Sequence, residues 1–226
     1  MAQIIIAQII QPGTPVVASP LLFSMDMQTT ATLQSPVEVT LGRMAAMQLF
    51  TEGYGIPSHT YGSGTDSFIL DGQSMIERTS IIEMVALSGA AVLGGAGQIE
   101  TAKTISPIQL IIDNDIFGMT RRLKEGLLLN EETLAWKEIM EMSADGEAFI
   151  AKEHTFRHFR EIQRPNIFTR DTYHMWNENG RKDLIENALD YYQSMKEKIV
   201  PSELPEEVTS EMNAVLKKAH EKLVRK

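Results

Sequence analysis

Three short apolar runs, at residues 16–23, 56–61 and 90–93, are the only stretches of this sequence that read as buried strands. Each is bounded by prolines or glycines and followed by a pattern of helical period. Strand and helix in alternation is the rhythm of βα units around a parallel sheet. Three parallel strands on their own leave two open edges and bury their faces poorly. A closed (β/α)8 barrel takes eight strands and about 250 residues. The expected fold is therefore α/β: part of a TIM-type barrel, about three parallel strands over residues 1–128, whose remaining strands belong to an upstream segment. From about Asn130 onward the pattern is purely helical, so residues 129–226 form a helical C-terminal extension.

The helices announce themselves by their ends. Residues 1–13 read as a helix closing near Gly13. Ser35-Pro36-Val37-Glu38 has the grammar of an N-cap, a first-turn proline and a capping-box glutamate. Behind it Val37, Leu41, Met44, Ala45 and Leu49 form an apolar stripe, ending near Gly53 or Gly55. Asp71 caps a helix that runs to Ser88 and stops at Gly89. Ser106-Pro107 opens another, which ends near Gly126. Asn130-Glu131-Glu132 is a cap with an acidic first turn. Further helices are predicted over 145–162, 171–179, 181–198 and 205–225, with Pro201 and Pro205 separating the last two.

Charge and composition narrow the function classes. Residues 1–150 hold 7 Lys or Arg against 17 Asp or Glu, while the rest is nearly balanced. An acidic first part disfavours nucleic acid and suits a cationic ligand. No apolar run is long enough to span a membrane, and the apolar start lacks the basic flank and cleavage site of a signal peptide. With no cysteine, disulfides, thiolate chemistry and cysteine-bound metals are excluded, which fits a reducing cytoplasm. His154 and His158 stand four apart, but HExxH is absent and no third ligand is evident, so no metal is expected. Gly94-Gly95-Ala96-Gly97 matches neither GxGxxG nor a P-loop, and permits close backbone approach instead. A lyase or aldolase would want a catalytic lysine at a strand end. Residues 1–102 offer only Arg43 and Arg78 as cations.

In βα folds the loops after the strands usually hold the site. The loop after the second run, Gly62-Ser63-Gly64-Thr65-Asp66-Ser67, and the helix start beyond it hold Asp66, Ser67, Asp71, Gln73 and Glu77. Turn formation and helix capping are the plainer roles for Asp66 and Asp71. His59 and Tyr61 flank Thr60 on the second strand and so share a face. Packing is their plainer role, and the same holds for the scattered aromatics Tyr54, Phe68 and Trp176.

Several stretches, in order and at matching spacing, resemble the trimethylamine methyltransferase family. They are QIIQPGTPVVASP at 8–20, SPVE at 35–38, YGIPSHTYGSGTDSFILDGQSMIE at 54–77, LSGAAVLGGAG at 87–97, SPIQLIIDNDIFGM at 106–119, EHTFRHFR at 153–160 and RDTYHMW at 170–176. Each is weak alone; together they resemble the second half of a family member about twice this length. The resemblance implies a (β/α)8 barrel with extra helices. It also implies methyl transfer from a methylated amine to the cobalt of a corrinoid on a partner protein, in one-carbon metabolism or methanogenesis. Members acting on trimethylamine carry pyrrolysine where this chain has Ile76 or its neighbours. The departure implies a quaternary amine such as glycine betaine, proline betaine or carnitine. It also implies substrate-binding roles for Asp66, Gln73, Glu77, His59 and Tyr61, with no catalytic residue assigned. The corrinoid is expected on a cognate corrinoid protein, because the cobalamin-binding DxHxxG motif is absent here. A competing expectation is a catalytically inactive half-barrel that assembles with itself or with the missing N-terminal half.

Overall fold

In the computed structural model, which describes residues 1–145, 148–200 and 204–223, the chain opens on helix α1 (Ala2–Ile10). The run at 16–23 follows, but it is less regular than expected. It makes one parallel bridge, Ala18 to Ser58, with Ala18 N donating to Pro57 O and His59 N to Ala18 O. Pro20 has no N–H to extend the ladder; its carbonyl instead accepts from Thr60 Oγ1 at 3.0 Å. The chain then turns into a small antiparallel hairpin, β1 (Ser24–Met25) with β2 (Thr32–Leu33).

Helix α2 (Val37–Gln48) corrects the capping expectation. Pro36 occupies the cap position with no side-chain bond, because the Ser35 hydroxyl is committed to Asp66 and Glu77. After a wide π turn at Leu49–Gly53, β3 (His59–Tyr61) leads to α3 (Gly72–Leu87) and then β4 (Val92–Gly94). β3 and β4 are parallel, pairing His59 with Val92, Thr60 with Leu93 and Tyr61 with Gly94. The three runs therefore lie side by side and parallel, as the βα rhythm requires.

A second hairpin, β5 (Gln98–Ile99) with β6 (Thr104–Ile105), interrupts the path to the next helix. Its tip holds Glu100, Thr101 and Ala102 in succession at φ 54, 51 and 67°. Left-handed backbone costs a residue with a Cβ about 1–2 kcal/mol, so this tip is strained. Helix α4 (Pro107–Glu125) begins as its sequence predicts: Ser106 Oγ accepts from Gln109 N, Pro107 sits in the first turn, and Gly126 at φ +69° ends it. Short helices follow: α5 (Glu131–Leu134), capped by Asn130, α6 (Trp136–Asp145), α7 (Glu153–His158) and α8 (Tyr173–Glu178). The helix expected over 145–162 is broken, because Ala148 and Lys152 are extended on either side of a 3-10 turn; residues 146 and 147 lie outside the described residues. α9 (Leu184–Glu197) and α10 (Glu206–Leu223) complete the chain. Pro205 directly precedes α10, and Pro201 lies outside the described residues.

The core lies on one side of the sheet. Met47 of α2, Ile81 and Val85 of α3 and Ala90 form one cluster. Ile82 of α3, Ile112 and Ile116 of α4, Ile167 and Ala188 form the other, and Leu93 of β4 packs against both. Each buried Ile, Val or Met among them contributes about 1.5–3 kcal/mol by leaving water. The segment around residues 166–188 belongs to this core, since Asp115 on α4 accepts from Asn166 Nδ2 and Ile167 N at 2.7 and 2.8 Å. The compact units are Met1–Tyr192 and Gln193–Lys226. Alternation along the strands turns Thr60 and Leu93 to the helices and His59, Tyr61 and Val92 the other way. Val92 on that second face is 50% exposed. Among the described residues, no helix is long and apolar enough to cross a membrane.

Candidate functional site

Two carboxylates meet at the C-terminal end of the parallel runs, in the loop that follows β3. Asp66 Oδ1 accepts from Gln34 N and Thr101 Oγ1, and Oδ2 from the Ser35 N–H and hydroxyl, at 2.6–3.1 Å. Glu77, one turn into α3, accepts on Oε2 from Thr65 Oγ1 at 2.6 Å, from Asp66 N at 3.0 Å and from Ser35 Oγ at 3.0 Å. Gln73 Nε2 donates to its other oxygen at 2.9 Å. A carboxylate has about four acceptor positions. Those of Asp66 are spent on the protein, whereas Glu77 Oε1 keeps capacity. Every donor in the cluster is neutral, and neither carboxyl group has a salt bridge among the described residues. The Thr101 contact ties the strained hairpin tip to this loop, and Glu100 N and Thr101 N also donate to the carbonyls of Ser67 and Thr65.

A second network lies beneath. Arg78 and Asp113 form an ion pair at 2.7 Å with both side chains fully buried. Asp113 also accepts from Ser63 Oγ at 2.6 Å, Gly97 N at 2.7 Å and Gln109 Nε2 at 2.9 Å. Arg78 reaches Gln98 O at 2.7 Å and Ser63 Oγ at 2.8 Å. Burial pulls the guanidinium below its usual range, opposed by Asp113. One ion pair thus clamps α3, α4 and both glycine-rich loops. The approach is close: a Cβ on Gly95, itself at φ +92°, would stand 2.3 Å from Ser63 O. That is the close backbone contact expected of the 94–97 stretch.

The open face of the sheet carries His59 and Tyr61, with ring centroids 6.3 Å apart and edge to face. Phe23 adds a second edge-to-face contact with Tyr61, also at 6.3 Å. His59 Nδ1 lies 2.7 Å from Ser19 Oγ, and His59 Nε2 packs so close to Gly94 that a Cβ there would stand 2.6 Å from it. Arg43 of α2 is buried beneath this face. It donates to Leu22 O at 2.8 Å and Tyr61 O at 3.3 Å, cross-linking the first two runs. Burial lowers its basicity, while Asp66 and Tyr61 oppose that. Both arginines of the first hundred residues are therefore occupied internally.

Of the predicted residues, the fold brings Asp66, Gln73 and Glu77 into one cluster. His59 and Tyr61 stand on the open face of the same strand that feeds that loop. Ile76 is 70% exposed on α3. Asp71 caps α3, accepting from Ser74 N at 2.9 Å and from Ser67 Oγ at 3.0 Å. The capping bond holds its carboxyl below the usual range. His154 and His158 stack at 4.3 Å and turn to α5 and Glu161: His154 Nε2 to Glu132 O, His158 Nδ1 to Glu161 Oε1. Among the described residues no group of three His, Asp or Glu is arranged to hold a metal. Trp176 Nε1 donates to Lys182 O.

Sequence reasoning missed Ser35, Thr65, Thr101 and the Arg78–Asp113 pair. The pair had a signal. Arg78 stands in register with Ile81, Ile82 and Val85 on the buried face of α3, and Asp113 with Gln109, Ile112 and Ile116 on that of α4. An arginine in one apolar stripe and an aspartate in the other mark a buried ion pair.

Comparison with known proteins follows the same residues. The family described as trimethylamine methyltransferase (MTTB) matches residues 1–223. The chain is 33% identical over 221 residues to a trimethylamine methyltransferase of Methanosarcina acetivorans, covering 97% of this chain and 44% of that protein. It is 29% identical to the corresponding protein of Desulfitobacterium hafniense, covering 98% and 44%. To a glycine betaine methyltransferase of Desulfitobacterium hafniense it is 28% identical over 218 residues, covering 96% and 45%. The chain thus spans a little under half the length of these relatives.

Proposed function

This chain belongs to the trimethylamine methyltransferase family, and on that premise we propose that it supplies part of a site moving a methyl group from a quaternary amine to the cobalt of a corrinoid carried by a partner protein. One observation carries the reading. The Asp66–Glu77 cluster lies in the loop that continues from β3, and His59 and Tyr61 stand on the open face of that same strand, both within the motif-bearing stretch and near the strand ends where βα folds usually carry their sites.

The arrangement fits a quaternary ammonium. Such a substrate releases a neutral tertiary amine and needs no acid at nitrogen, so the protein has to align the methyl group and exclude water. Tyr61 and Phe23 offer aromatic faces to a cation, and Glu77 Oε1 keeps acceptor capacity. A betaine carboxylate would fall to His59 or to backbone N–H groups, because Arg43 and Arg78 are engaged. The corrinoid would supply reduced cobalt as nucleophile. Exposed Phe68, Ile69 and Ile76 around the strand-end loop suit contact with a large, flat organic ring brought by another protein.

We further propose that the sheet closes as a (β/α)8 barrel against strands from the region where the relatives are longer. The half-exposed Val92, the apolar and largely exposed α1 and the unpaired edge of β4 favour it. The same openness favours a second reading, an assembly subunit without activity of its own. The test is to combine the chain with the unmatched part of the Desulfitobacterium hafniense glycine betaine methyltransferase, a reduced corrinoid protein and a panel of methylated amines. Consumption of reduced cobalt, followed by absorbance, is expected with glycine betaine, proline betaine or carnitine. Turnover of trimethylamine alone would overturn the substrate class, and none with any amine would favour the assembly reading.

A further inference from the structure

Helix α10 (Glu206–Leu223) has a charge and apolar pattern that the methyl-transfer reading does not use. Val208, Met212, Val215 and Ala219 recur at alternating steps of four and three, the a/d spacing of a coiled-coil seam. The seam is solvent-facing, with Val208 42%, Met212 52% and Val215 66% exposed. Charge is unevenly spread along the same helix: Glu206, Glu207 and Glu211 in its first half, and Lys217, Lys218 and Lys222 against a single acid, Glu221, in its second.

We propose that α10 pairs antiparallel with α10 of a second copy of this chain. Antiparallel docking stacks Met212 on the partner's Val215, and Ala219 on the partner's Val208. Symmetry repeats each contact, giving four apolar layers. The flanking positions in that register set Glu211 against the partner's Lys218 twice over, as coiled-coil edges do when they choose orientation. A parallel pair would instead align the two acidic halves and the two basic halves, set Glu211 and Lys218 against the partner's Leu216 and Leu223 with no ion pair, and point both helix dipoles in the same direction. Complementarity of charge therefore selects a second copy, in one orientation. The inference is independent of the methyl-transfer reading.

Sedimentation of the whole chain over a concentration series tests it. A monomer–dimer equilibrium is expected. Lys218→Glu should weaken it about tenfold or more, and Lys218→Glu combined with Glu211→Lys should restore it, with circular dichroism showing equal helix content throughout. The chain has no cysteine, so orientation can be read by crosslinking. A mixture of Met212→Cys and Val215→Cys chains should oxidise mainly to the mixed dimer, whereas each alone should do so poorly. A monomer at all concentrations, a dimer indifferent to Lys218→Glu, or preferential linkage of Val215→Cys chains to one another would each overturn the proposal.

Discussion

Asp113 is the residue on which most of the strand-end architecture converges, since it binds α3 through Arg78, the β3 loop through Ser63 and the β4 loop through Gly97. Asp113→Asn keeps the shape but leaves a buried guanidinium without its counter-charge, and should cost about 3–5 kcal/mol. Urea denaturation checks it; a loss below about 1 kcal/mol would contradict the clamp. Ala102→Gly at the hairpin tip should act the other way. It removes a Cβ from left-handed backbone and is expected to gain about 1 kcal/mol. Thr101→Gly relieves the same strain but gives up the bond to Asp66, so it should gain less or lose stability. Asp71 makes a prediction in pH. Its folded pKa lies below the ordinary 3.8. Its contribution is therefore full above that value and fades as pH falls through the depressed folded value. The advantage of wild type over Asp71→Asn should be present at neutral pH and gone in strong acid, as thermal melts over a pH series would show. At this scale the sequence was only partly legible. Asp71 and Ser106 read correctly as caps because capping is local, whereas Ser35 carried the same grammar and was diverted by carboxylates 31 and 42 residues away.

At the scale of elements, the helices were the readable part. α3 and α4 begin and end where their caps and glycines put them, because a helix is specified by neighbours three and four residues apart. Ser106→Ala should cost about 1 kcal/mol by orphaning Gln109 N, measurable by thermal or chemical denaturation; no change would mean the cap is dispensable. The strands were less readable. The run at 16–23 shrank to a single bridge and the run at 90–93 shifted to Val92–Gly94, since strand limits depend on partners distant in sequence. The hairpins β1–β2 and β5–β6 lacked the Asn-Gly or Asp-Gly turns that would have marked them. α3 and α4 pack on one another through Ile82, Ile112 and Ile116, and Ile112→Ala at that contact should cost about 2–5 kcal/mol.

For the whole molecule, the parallel arrangement of the three runs was legible and its completion was not. An open second face and a free β4 edge are properties of the described sheet; a closed barrel around them is our proposal. Burial of that face by further strands would bring His59, Tyr61 and Phe23 into a dry cavity, where aromatic rings hold a cation most strongly. The decisive measurement is the rate of glycine betaine-dependent consumption of reduced cobalt in the assembly completed with the relative's unmatched part, wild type against Tyr61→Ala. If Tyr61 faces the bound cation, the rate falls about tenfold or more, with circular dichroism unchanged. Equal rates for the two would place the methylated nitrogen elsewhere and contradict the proposed site.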